Sequence, residues 1–99
     1  MQIKQHPSAK AEFLNSFRRY HAESVQAAEG FLEQYESALN AILKSPEGHT
    51  LTSKGRRWRL LQNYPYKVIY EFIGNTIWVV AVAHVKRRPN YWAGRKWPK

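Results

Sequence analysis

The sequence predicts an α+β domain: a short N-terminal strand, an antiparallel helical hairpin, then an antiparallel β-meander with a short C-terminal segment. Three observations carry this. Apolar residues recur at steps of three and four up to Ile42, the period switches to two after a polar loop, and Gly74-Asn75 sits between two apolar runs as a tight hairpin signal. The 99 residues fit one domain, 1–99, with a modest core.

Residues 2–5 read as a first strand, closed by His6-Pro7. Pro7 suits a helix's first turn, where a missing N–H costs nothing. From Ser8, the positions Ala9, Phe13, Phe17 and Tyr20 follow helical spacing and end near His21. The second helix is clearer: Val25, Ala28, Phe31/Leu32, Tyr35, Leu39 and Ile42 form one stripe, with Gln26, Glu29, Glu33, Glu36 and Asn40 outside, and Ser45-Pro46 stops it. Gly30 inside this helix costs about 1 kcal/mol relative to Ala, which the long stripe absorbs. A short connection makes the two helices an antiparallel pair, with Phe13, Phe17, Tyr35 and Leu39 as plain core.

Residues 46–55 (PEGHTLTSKG) form a polar loop. Beyond it, Arg57, Arg59 and Leu61 alternate with Trp58, Leu60 and Gln62. Tyr66, Val68, Tyr70 and Phe72 alternate with Lys67, Ile69, Glu71 and Ile73. Residues 77–85 are almost wholly apolar, as a strand covered on both faces would be. The sheet is expected to bury one face on the helices and leave the other open.

Charge divides the chain. Residues 51–99 hold eleven of the sixteen Lys/Arg and a single Glu, whereas residues 1–50 hold five Lys/Arg against six Glu, so the net charge of +9 resides in the second half. Such a field suits a polyphosphate partner, and a merely solvated basic surface is the plainer alternative. Cysteine is absent, which excludes disulfides and thiolate chemistry. No apolar leader or membrane-length run is visible, so a cytoplasmic protein without membrane contact is expected. There is no Asp, no Gly-rich phosphate loop and no His-x-x-x-His pair, and Glu71 is the lone carboxylate of the basic half. Any nuclease here is expected to work without metal or other cofactor, through cations that stabilise a charged transition state.

Side chains two apart in a strand share a face. Arg57 and Arg59 therefore project together, and the neighbouring strand is expected to bring Lys67 beside them on the open face, a cluster that only an anion would relieve. His84 ends the apolar strand and is followed directly by Lys86-Arg87-Arg88-Pro89-Asn90-Tyr91-Trp92, where a mobile proton meets three cations. His84 is read either as a hydrogen-bonded structural residue or as a catalytic one. Tyr91, Trp92 and Trp97 suit base stacking or a C-terminal aromatic plug, with the plug favoured for Trp92 and Tyr91 left open. Lys54, Arg56, Lys86, Arg88, Arg95 and Lys96, with Trp92, make up the expected nucleic-acid-binding set.

The frame His6-Pro7-x-Ala9-x-x-Glu12, then Arg57-x-x-Leu60, then Tyr64-Pro65-Tyr66-Lys67-Val68-Ile69-Tyr70 resembles the RelE/ParE toxin superfamily. So does the ending Ala81-Val82-Ala83-His84-x-x-Arg87-Arg88-Pro89-x-Tyr91-Trp92-x-x-Arg95. The likeness spans nearly the whole chain, which closely resembles the branch often labelled plasmid stabilisation proteins. It implies the toxin of a bacterial type II toxin–antitoxin pair, with a cognate antitoxin wrapping the sheet and helices. RelE-like members cleave mRNA on the ribosome; ParE-like members poison DNA gyrase. For RelE-like cleavage the resemblance implies Arg57, Arg59, Lys67, Arg87 and Tyr91 as catalytic, with His84 a looser match and Lys67 standing where Arg is usual. In that mechanism the RNA 2′-hydroxyl attacks in line, Lys54, Arg59 or His84 takes its proton, and Tyr91 or Arg87 assists the leaving oxygen. The expectation is a metal-independent, ribosome-dependent mRNA endonuclease. The alternatives are a non-catalytic gyrase poison and an inactive antitoxin-binding relative.

Overall fold

Ser24 closes one helix and opens the next, and this single residue sets the helical layer. The structure, a computed structural model, describes residues 1–97. Helix α1 (Pro7–Glu23) is capped by His6, whose Nδ1 accepts from the Ser8 N–H at 3.0 Å. Ser24 then donates its N–H to the Tyr20 carbonyl (3.0 Å) and accepts the Ala27 N–H on its hydroxyl (2.9 Å), which starts helix α2 (Val25–Lys44). With one residue between them the helices must double back. Their aromatic rows then interleave, with Phe13 4.5 Å from Tyr35 and 5.3 Å from Phe31 between ring centres.

Five strands follow the predicted order with one addition: β1 (Gln2–Gln5), β2 (Thr50–Leu51), β3 (Arg57–Leu60), β4 (Tyr66–Ile73) and β5 (Thr76–His84). In space they run β1-β5-β4-β3-β2. The expected meander holds for β3, β4 and β5, but the sheet is mixed because β1 pairs parallel with β5. β2 lies inside the stretch expected as loop; two residues are too few for any alternation to show in sequence. Gly74 supplies the left-handed residue of the β4–β5 hairpin, at φ 59°.

The core has two compartments. Phe31, Tyr35, Ala38 and Ile42 of α2 and Ala9 of α1 bury Tyr66, Val68, Tyr70, Ile77, Val79 and Val82 on one face of the sheet. The other face, expected to be open, is closed: Ile69, Val80, Ala81 and Ala83 pack under Trp92, with Trp58, Tyr91 and Trp97 around them. The lid is the C-terminal stretch 91–97. Its favoured reading as a plug agrees with Trp92 at 4% exposure, and β5 is covered on both faces as its composition predicts. No helix among the described residues is long and apolar enough to cross a membrane.

Gly30 has a reason that propensity does not supply. Tyr64 lies across α2 at this position and donates its hydroxyl to the Ala27 carbonyl at 3.0 Å, so a Cβ on Gly30 would overlap the phenol oxygen. Gly30→Ala is therefore expected to lower stability by about 1–2 kcal/mol, as overpacking does, and not to gain the helix propensity. In a Tyr64→Phe background the same substitution should become neutral or stabilising. A double-mutant cycle by urea unfolding checks this.

Candidate functional site

Strand register decides which basic residues meet. Arg57 pairs with Tyr70 and Arg59 with Val68, so both arginines share the helix-side face; Trp58 pairs with Ile69 and Leu60 with Lys67 on the opposite face. The expected convergence of Arg57 and Arg59 on Lys67 is corrected here: the sheet lies between them. The two arginines turn instead to His49 in the loop after α2. Arg57 Nη1 donates to the His49 carbonyl at 2.8 Å, and Arg59 Nη1 lies 3.2 Å from His49 Nε2. His49 Nδ1 is 2.9 Å from the Ser45 carbonyl, which can only accept, so Nδ1 carries the proton and Nε2 accepts from Arg59.

Lys67, His84 and Arg87 do come together, at the end of the sheet where β5 runs out. They line a cleft of about 120 Å³ with Trp58, Arg88 and Asn90, and the Lys67 ammonium sits 4.8 Å from the Trp58 ring centre. On the helix side a wider groove of about 430 Å³ is lined by Asn15, Arg19, Tyr66, His84, Lys86 and Arg87, with Glu12 at its wall. His84 and Arg87 border both hollows, so the turn after β5 is the ridge between them. That turn is fixed from within. The Arg87 N–H donates to the His84 carbonyl (3.0 Å), the Tyr91 N–H to the Arg88 carbonyl (3.3 Å), and the Lys86 N–H to His84 Nδ1 (3.1 Å). With Nδ1 accepting, Nε2 is the ring nitrogen left to donate. Lys86, Arg87 and Arg88 are all exposed.

Other predicted residues are structural. Arg56 is 8% exposed, pairs with Glu71, and donates to the carbonyls of Trp92 (3.0 Å) and Arg95 (2.9 Å), so it fastens the C-terminal stretch to the sheet. Trp92 lies beneath it, 5.5 Å from the guanidinium. Arg95 forms a two-pronged pair with Glu12 at 2.8 and 2.9 Å and donates to the Val80 carbonyl at 3.0 Å. Arg56, Trp92 and Arg95 are thus corrected from nucleic-acid contacts to internal fasteners: each has its polar or aromatic surface turned inward. Lys54 and Lys96 are exposed but line neither hollow.

Tyr91 donates its hydroxyl to the second oxygen of Glu12 at 2.6 Å. Burial, and then the Glu12 carboxylate, raise its phenol far above the ordinary tyrosine range. A group so held is poorly placed to protonate a leaving oxygen near neutral pH. Burial pushes the Glu12 carboxyl up, but hydrogen bonds from Arg95, Tyr91 and the Val82 N–H outweigh it and hold the group below the usual carboxylate value.

Sequence reasoning placed Glu12 and Tyr66 in the family frame but gave neither them nor Arg19 a role at the site. Arg19 Nη2 donates to the Tyr66 hydroxyl at 2.7 Å, which ties α1 to β4 beside the groove. For Glu12 a signal existed: with Ala9 and Ser16 at helical spacing it puts a carboxylate on a face that is otherwise buried.

A protein-family model described as the ParE toxin of type II toxin–antitoxin systems, parDE, matches residues 3–89. Among solved structures, the chromosomal ParDE TA system from P. aeruginosa is similar in fold, with a TM-score of 0.62 at 18% identity, over 85% of this chain and 95% of that one. No curated protein sequence matches significantly.

Because the folded state holds Glu12 below its ordinary value of 4.5, its contribution to stability is full above that pH and is lost as pH falls through the lowered value. Glu12→Gln should cost about 1–3 kcal/mol at pH 7, since Arg95 loses its partner. The gap between variant and parent should close in acid, where the parent's carboxyl is also neutral. Urea unfolding at pH 7 and below pH 4 measures both.

Proposed function

The chain belongs to the ParE toxin family of type II toxin–antitoxin systems, and we propose that it acts as the gyrase-poisoning branch does, by binding and without catalysis. The family match favours this reading, and the observation that carries it is the separation of Arg57 and Arg59 from Lys67 by the thickness of the sheet. Cleaving a phosphodiester without metal requires a base, an acid and cationic donors about one phosphate, within roughly 3 Å of the atoms they serve. Here two candidate cations occupy the wrong face and the candidate acid is engaged with Glu12. Binding asks for less, only that the exposed cations of the turn after β5 face their target. A toxin of this class also has a cognate antitoxin as partner.

Lys67, His84 and Arg87 share one cleft, and this keeps RNA cleavage as the second reading. Purified protein incubated with gyrase, ATP and supercoiled plasmid should accumulate cleaved DNA after detergent and protease treatment, while a reporter mRNA under translation stays intact. Substituting Arg57 and Arg59 by Ala should leave gyrase trapping unchanged. Ribosome-dependent cuts in the message, with no trapped gyrase, would overturn the proposal.

A further inference from the structure

We propose that the cationic end of the sheet grips the sugar-phosphate backbone of duplex DNA, without reading bases and without stacking on them. The inference deepens the gyrase reading by naming duplex DNA as the material this surface touches.

Five cations gather there from three parts of the fold: Arg19 on α1, Lys67 on β4, and Lys86, Arg87 and Arg88 on the turn after β5. His84, which lines both hollows, adds a ring nitrogen among them. The carboxylates that could neutralise this end are already committed, since the ion pairs among the described residues are Arg56–Glu71 and Arg95–Glu12. Glu23 alone lies near, in a shallow hollow shared with Arg19, Tyr66 and His84. The surface therefore offers five cations against the single uncommitted carboxylate of Glu23 at its margin, and phosphate is the chemistry that satisfies the excess of donors and charge.

The aromatics decide between duplex and single strand. A reader of unstacked nucleotides needs bare ring faces. Here cations of the chain lie over them: Lys67 over Trp58 at 4.8 Å, Arg87 over Tyr91 at 3.9 Å, Arg56 over the buried Trp92 at 5.5 Å, and Lys4 over Trp78 at 5.1 Å. Stacking a base would mean displacing one of these cations. What remains outward is guanidinium and ammonium on a ridge braced by its own hydrogen bonds, a form suited to straddling a regular backbone.

The test is fluorescence anisotropy of the full chain with a labelled random-sequence duplex of about 20 base pairs, and with single-stranded DNA and RNA of the same length. With about four phosphates contacted, log K should fall against log salt with a slope near −3.6, about 150-fold between 50 and 200 mM. The combined variant Lys86→Gln, Arg87→Gln, Arg88→Gln should bring the slope to about −1, while Lys44→Gln, at the distant end of α2, leaves it unchanged. Tighter binding to either single strand, or an unchanged slope in the triple variant, overturns the proposal. So does a triple variant that has lost duplex binding yet still traps gyrase, an outcome that spares the gyrase reading. Parent protein that grips duplex DNA but never traps gyrase would do the reverse.

Discussion

One carboxylate holds the molecule's layers together. β1 leaves the sheet after Val79, and beyond that point the outer edge of β5 has no strand beside it. Glu12 of α1 fills the gap by accepting the Val82 N–H at 3.1 Å, and the same group receives Tyr91 and both prongs of Arg95. Helix, strand edge and C-terminal stretch thus meet at two oxygen atoms. An unpaired edge N–H is a liability that proteins cover, and here the cover is also the anchor for the lid over the second face. The Arg56–Glu71 pair repeats the design from the other side, with one guanidinium gathering the carbonyls at which the C-terminal stretch turns.

These two ion pairs change what the net charge means. Arg56 and Arg95 are spent inside, and Arg57 and Arg59 hold the loop at His49. Among the described residues of the second half, the cations left without such a task are Lys54, Lys96 and the group of Lys67, Lys86, Arg87 and Arg88 at the turn after β5 and its flanking hollows. The second half of the chain is basic in composition, but its field is set by the few cations that the fold leaves without an internal task.

Period and punctuation were enough to read both helices, the N-terminal strand, the hairpin at Gly74-Asn75 and the double burial of β5, because each depends on neighbours within a turn or two. Register is different in kind. Whether Arg57 faces Lys67 or turns its back depends on how the connection at residues 61–65 closes, and one step of slip moves every side chain to the other face. Asn63, at φ 64°, bends that connection, and no alternation within β3 or β4 foretells it. The closed second face was hidden for a related reason. Trp92 read as a plug from its type, but the arginines that seal the plug looked like surface charge until their partners, distant in sequence, were in place.

The separation of charges also bears on Lys67, which stands where the resemblance leads one to expect Arg. A cleaving site needs the planar fork of a guanidinium to hold a phosphate in one orientation, and Lys is a poor substitute for it. A binding surface needs only positive potential at the right height, which an ammonium resting on Trp58 provides. The ammonium lies over the ring, and the tryptophan face is closed to competing bases in the same contact. The residue that departs from the cleavage pattern is thus well suited to a surface that only binds.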